Sequence, residues 1–363
     1  MDQSSLPPSL SLEKKDLEVG SPPSNDASAP APPKQDVFVD DENHQIHYKT
    51  LSWQFVSMLM IAEIMSNGML SLPNAVAVVG LVPSIILTIF LGIFGLFTAK
   101  LLIDFKLNHP HVHTMGDAGL ILFGPVGREI LSAGTIIFAI FALTFAYAGH
   151  FMFFILISEM KRPQDAMKAA WCLQVGATTL YVVFSVVIYV YLGSTVQSPA
   201  LFSLPPKWAK AAFGIGLVNF LLAGALYAHT ASKLVFIRFF RHSRHVYTHT
   251  ILGWSVWTFL CFLGCTAAFI LAVAVPIFSD LIGIAASLFA SWYTYGLAGF
   301  FWLYDTYHLK GGEQALKRRW KGTTLAIATI IAGSFICVAG TYVSIKLIVD
   351  AYKSGTVGKP FTC

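Results

Sequence analysis

The sequence predicts an all-α polytopic membrane protein, and three observations carry that expectation. Of the 363 residues, 55% are hydrophobic and 12% are charged, about half the charged share of an average soluble domain. Too few charges remain to cover a water-facing surface. The apolar residues gather into runs of spanning length, such as 130–158, which holds no formal charge. Lys and Arg collect in short clusters between those runs, as they do in loops on the cytosolic side of a membrane. A soluble enzyme is excluded by the first observation. Disorder of the whole chain is excluded by the 14% aromatic content.

The N-terminal stretch is set apart. Residues 1–48 hold seven of the 17 prolines, and residues 1–50 carry nine acids against four lysines. Their net charge of −5 leaves +10 on the other 313 residues. Acidic sequence rich in Pro, Ser and Ala cannot bury enough apolar surface to fold. Residues 1–48 are therefore expected to form a disordered cytosolic tail, and no basic start followed by an apolar run marks a signal peptide. The positive charge elsewhere reads as topology, and nucleic acid is not an expected partner.

From Thr50 to Ala99 the only charge is Glu63, and the stretch Pro73–Pro83 divides it into two spans. Lys100, Asp104 and Lys106 close the second. Residues 106–128 form a polar connector with a short amphipathic piece. Further spans are expected at 169–192, 211–237, 250–275, 281–304 and 323–349, ahead of a short tail, 351–363. The basic clusters fall in 100–128, 161–168, 233–245 and 310–321. If all four are cytosolic, an even number of crossings must separate them. Every interval obeys this except 130–158, a single apolar run between two inside clusters. The count is about seven full spans and one hybrid or re-entrant segment. The cysteines at 172, 261, 265 and 337 sit in or beside apolar runs and read as small buried residues.

Two places interrupt the apolar pattern. Ser66-Asn67-Gly68 stands in the middle of the first span, one turn after Glu63. A broken helix at mid-membrane exposes N–H and C=O groups that can hold an ion or a zwitterion, and an intramembrane carboxylate usually faces a polar pathway. Ala146-Tyr147-Ala148-Gly149-His150 places small residues and a histidine inside 130–158. Thr230 and Ser232 offer hydroxyls to an ion, although such residues are also ordinary helix contacts. No phosphate-binding Gly-rich loop, HExxH or GxSxG is present, so nothing argues for catalysis.

Three blocks of sequence resemble one family. EIMSNGMLSLPNAVAVVG is similar to the first helix of the amino acid/auxin permeases, MGDAGLILFGPVGREIL to the entry of their third, and AYAGHFMFFILISEMKRPQDAMKA to their sixth. Within the family the chain looks most similar to fungal neutral amino acid permeases. The resemblance implies an inverted-repeat amino acid transporter fold over residues 49–350. Its broken first and sixth helices hold the substrate, here at Ser66, Asn67, Gly68, Tyr147, Ala148 and Gly149. It implies coupling to H+ or Na+ and no other cofactor, with Glu63, His150, Thr230 and Ser232 as the coupling candidates. The implied partners are an amino acid and the lipid bilayer, in the plasma membrane ahead of the vacuolar one. The third-helix block ends near Ala142 and the sixth-helix block begins near Thr144. On the order of 60–100 residues, at about 20 per helix, are missing between them. The expected function is secondary transport of an amino acid, impaired in this form. The alternative is a non-transporting membrane sensor or regulatory isoform.

Overall fold

The structure, a computed structural model, describes residues 38, 45–64, 67–145, 152–241, 243–274 and 283–355. The chain runs through α1 (Trp53–Ile64), α2 (Asn67–Val79), α3 (Leu81–Asn108), α4 (Met115–Phe145), α5 (Phe153–Ser158), α6 (Ala166–Leu192), α7 (Pro206–Phe240) and α8 (Ile251–Ala274). A π-helical segment, Ala286–Gly296, then leads into α9 (Leu297–Lys310), α10 (Gly312–Arg318) and α11 (Trp320–Lys353). Leu51 and Met160 form an isolated parallel bridge.

Among the described residues, six helices are long and apolar enough, by length and composition, to cross a membrane: 81–108, 115–140, 163–195, 206–240, 251–274 and 320–353. Seven full spans were expected. The first expected span falls on α1 and α2, described up to Ile64 and again from Asn67, and the span at 281–304 falls on the π segment and α9. Apolar length is therefore present at both places, and at the second a π ladder carries part of it. Large side chains such as Ile215, Leu221, Phe335 and Val338 stay exposed around the bundle, as suits a surface facing lipid rather than water.

The helices outrun the charged clusters that were expected to end them. α3 continues past Ala99 to Asn108 because its charges find partners. Lys100 pairs with Asp104 one turn on, and Lys106 Nζ donates to the Pro110 carbonyl at 2.7 Å. The basic stretch 310–321 is not simply a loop: Gly311, at φ 108°, ends α9 and α10 follows at once.

α4 is two arms joined at Gly124, whose φ of 70° and ψ of −160° are not helical. Glycine tolerates that conformation, and Pro125 suits the first position of the helix that resumes. A Cβ on Gly119 would stand 2.5 Å from the Gly127 carbonyl oxygen, and one on Gly116 would stand 2.0 Å from Ser132 Oγ. The arms thus lie backbone against backbone. The amphipathic piece expected in 106–128 is the first of them. The π segment and the start of α9 approach α11 in the same way: a Cβ on Gly333 would lie 2.8 Å from Gly296 N, and one on Gly299 would lie 2.4 Å from the Ala326 carbonyl oxygen. Small residues that let backbones meet are the usual means of helix association in lipid.

Aromatic rings fill the core between α3, α5 and α9, where Phe301 stacks on Phe105 at 4.4 Å and meets Phe154 edge-on at 5.6 Å. Two expectations need correction. Cys172 and Cys265 are exposed and Cys261 and Cys337 half-buried, all with free thiols, so these residues pack against the bilayer side of the helices rather than the protein core. Phe38 and Gln45–Tyr48 lie within the stretch expected to be disordered, yet they dock. Phe38 is 2% exposed against Phe236, Ile237 and Val246, and the Tyr48 hydroxyl donates to the Val246 carbonyl at 2.8 Å. An aromatic ring and a capped carbonyl supply what the polar tail around them lacks.

Candidate transport site and the polar layer at the basic end

The break expected in the first span falls on residues 65–66 and their neighbours, and 65–66 lie outside the described residues. α1 carries Glu63 in its last turn, and α2 opens with Asn67 and Gly68. Ser66 lies outside the described residues, as do the side chains of Glu63 and Asn67. Tyr147, Ala148, Gly149 and His150 also lie outside them, together with the expected bend in 130–158. Thr230 and Ser232 are described and are buried on α7, 5% and 3% exposed. α2 packs on α3 and α6, whereas α7 packs on α4 and α8.

A different constellation comes together at the end of the bundle where the basic clusters gather. Lys233, one turn after Thr230 on α7, forms an ion pair with Glu159, which caps α5. The two side chains are only 7% and 15% exposed. Rings cover the pair: Lys233 Nζ lies 4.7 Å from the Tyr48 ring centre and 5.5 Å from that of Phe38. Burial pushes the Tyr48 hydroxyl up to about 12, with the neighbouring Tyr247 and Glu159 adding to the rise. Tyr48 thus stays a neutral donor beside the buried pair.

The layer extends sideways. His113 Nδ1 lies 2.9 Å from Ser158 Oγ and 3.4 Å from Lys106 Nζ. Asp305, at the inner turns of α9, accepts from Asn108 Nδ2 at 2.6 Å and faces His109 Nε2 at 2.9 Å. Arg241 Nη1 reaches Asp117 Oδ1 at 3.1 Å. Leu51 N donates to the Glu159 carbonyl at 3.0 Å, and Lys161 N to the Leu51 carbonyl at 2.9 Å. Together these contacts join the 45–51 strap, α3, the first arm of α4, α5, α7 and α9. Charged and polar groups in a low dielectric attract strongly once paired and cost much when unpaired. The layer therefore holds this end of the bundle closed, and opening it would break these contacts.

Sequence reasoning passed over this layer. A signal was present, since Glu159, Lys233 and Asp305 each interrupt or close an apolar run. Ionisable residues at membrane depth usually pair with one another. What the sequence lacked was the pairing, because 74 residues separate Glu159 from Lys233.

Sequence comparison identifies relatives of the chain. The chain is 27% identical to a transmembrane transporter of Gibberella moniliformis over 423 aligned positions, covering 88% of each protein. It is 24% identical to the N amino acid transport system protein of Neurospora crassa, covering 87% of this chain and 89% of that one. A more distant likeness, 27% identical over 52% of this chain and 24% of the relative, joins it to the vacuolar amino acid transporter 4 of Saccharomyces cerevisiae. No solved structure matches significantly. The family described as transmembrane amino acid transporter protein matches residues 49–144 and 129–346. Apolar helices, a layered bundle and a match over most of its length agree: the chain is a multi-pass membrane protein that belongs to the transmembrane amino acid transporter family.

Proposed function

We propose that the chain is a secondary transporter of neutral amino acids, driven by H+ or Na+, whose inverted-repeat fold lacks part of one repeat. In this form it carries substrate poorly. The observation that carries the proposal is the family match itself, which comes as two blocks, 49–144 and 129–346, overlapping where the third-helix and sixth-helix blocks of sequence adjoin. The alignment lengths support it. The 88% of this 363-residue chain that aligns with the Gibberella relative is about 319 residues, so about 104 of the 423 aligned positions hold no residue of this chain.

In this reading the substrate sits where α1 gives way to α2. Ser66, Asn67 and Gly68 meet its charged ends, joined from the other broken helix by Tyr147, Ala148 and Gly149, while Glu63, His150, Thr230 and Ser232 serve the coupling ion. Helix ends suit a zwitterion, since positive N-termini attract its carboxylate. The basic end faces the cytosol, and the polar layer is the closed inner gate. Transport requires one group of helices to rock against another, and the missing segment removes a wall of the site. The plasma membrane is the proposed location.

The test is uptake of a radiolabelled neutral amino acid by cells without permeases of their own. The chain as it stands should give little uptake. Inserting the segment of the Neurospora relative at 142–144 should restore saturable, ion-dependent uptake, and Glu63→Gln in the restored chain should shift its pH dependence while leaving membrane insertion intact. Full uptake by the unaltered chain would remove the impairment from the proposal. Silence of a restored chain that inserts normally would favour a non-transporting sensor.

A further inference from the structure

A second polar cluster lies between the hairpin of α4 and the last turns of α7; it shares the Arg241–Asp117 pair with the gate layer, but Arg128, Ser132 and Arg238 have no part in the transport reading. It surrounds a cavity of about 40 Å³ bordered by Thr114, Asp117, Arg128, Ser132, Arg238 and Arg241. That space exceeds the roughly 10–15 Å³ that one water needs and suits a single tetrahedral oxyanion group. Three guanidiniums converge here, and they are not equally satisfied. Arg241 is held by Asp117 at 3.1 Å, and the other Asp117 oxygen accepts from the backbone N–H groups of His113 and Thr114 at 3.2 Å each. Arg238 meets the Glu129 carboxylate at 2.6 and 2.7 Å on the rim, where Glu129 is 63% exposed, and its Nη1 lies 3.4 Å from Ser132 Oγ. Arg128 has no carboxylate partner among the described residues, and its Nε is buried without a hydrogen-bond partner.

A buried guanidinium donor left unmade is costly, and the helix that presents Arg128 begins only a turn earlier, at Pro125. The deficit calls for an anion with several acceptor oxygens. Guanidiniums recognise phosphate in this way, through forked N–H pairs, and the hydroxyls of Thr114 and Ser132 add donors. The setting indicates the source of the phosphate. Val126 and Ile130 on α4 and Phe239 on α7, neighbours in the chain of Glu129 and Arg238, are left exposed, as side chains against acyl tails are. Basic pockets between helices on the inner side of a membrane suit anionic headgroups. We infer that this pocket holds the phosphate of an anionic lipid headgroup in the leaflet at the basic end, with Arg128 as its principal contact and Glu129 as a rim carboxylate that weakens binding.

The full-length chain in a neutral detergent, titrated with dioleoyl phosphatidic acid or dioleoyl phosphatidylcholine and read by native mass spectrometry, tests this. Phosphatidic acid should bind at least about tenfold more tightly than phosphatidylcholine, the factor expected from one charge-assisted contact. Arg128→Gln should abolish that preference, whereas Lys317→Gln, on α10, should leave it unchanged. Glu129→Gln should strengthen binding of phosphatidic acid, a gain that misfolding cannot mimic. Millimolar inorganic phosphate should fail to displace the lipid; displacement would assign the pocket to free phosphate and overturn the lipid source. Equal binding of the two lipids by the unaltered chain, or an undiminished preference in a folded Arg128→Gln variant, would overturn the site.

Discussion

The two ends of the helix bundle are fastened by different chemistry. At the basic end the segments are tied by buried charges: Lys233 to Glu159, Asp305 to Asn108 and His109, and Arg241 to Asp117. At the opposite end, α2 is tied to the stretch following α6 by a neutral hydrogen bond, Asn74 Nδ2 to the Val196 carbonyl at 3.0 Å. The nearby Phe202 and Phe213 rings add an apolar contact at 5.3 Å. A charged tie out of water is strong only while both partners are present, so it holds or fails as a unit. A neutral tie loosens by degrees. The difference fits the proposed role of the basic end as a gate that stays shut in one state and opens in another.

The sharpest way to break the contrast is to remove one charge. Lys233→Ala leaves Glu159 buried and unpaired, and the expected cost is about 3–5 kcal/mol, read as a large drop in the thermal midpoint of the purified chain. The charge-free double variant Lys233→Met with Glu159→Met should be less damaged than either single change. If the double variant is as unstable as the sum of the singles, the pair is not a unit and the contrast dissolves.

The neutral tie should matter less. Asn74→Ala is expected to cost about 1 kcal/mol, the ordinary net value of a hydrogen bond. A loss on the scale of the Lys233 variant would mean that the two ends are equally fastened.

The smallest effect concerns the strap over the buried pair. Tyr48 titrates at about 12 when docked, against about 10 in an unfolded chain. Its neutral hydroxyl therefore contributes stability in full below pH 10, and that contribution is lost as pH rises towards 12. Tyrosinate absorbance of the native chain minus that of Tyr48→Phe should show one group titrating near 12. A difference curve centred on 10 would mean that the strap is not docked in solution.

Much of the fold was legible. Apolar runs located the membrane helices because, in lipid, backbone groups must be satisfied within the helix, so composition alone constrains the chain. The arm before Gly124 was marked by a glycine–proline pair whose backbone preferences are strong. The ends of α3 and α9 were less legible. Charges at 100–106 read as a loop until their partners, Asp104 and the Pro110 carbonyl, were known. The docking of Phe38 was hidden because its pocket is made by residues about two hundred positions away, including Phe236 and Val246. The same separation concealed the Lys233–Glu159 pair. Burial of the expected cysteines failed for another reason: in a membrane an apolar residue need not be inside the protein.

The π segment has a consequence for how this lineage can change. A π turn is an α turn that has taken in one extra residue, and Ala286–Gly296 follows that wider ladder throughout. Its two ends are pinned, by Ser287 against Gly340 and by Gly296 against Gly333. Losing a single codon here would convert wide turns into ordinary ones between fixed ends. Elsewhere in the bundle the same loss would rotate every later side chain by about 100°, since 3.6 residues make a turn. Single-residue length variation within the helices of close relatives should therefore gather at 286–296, where a deletion is repaired by the ladder itself.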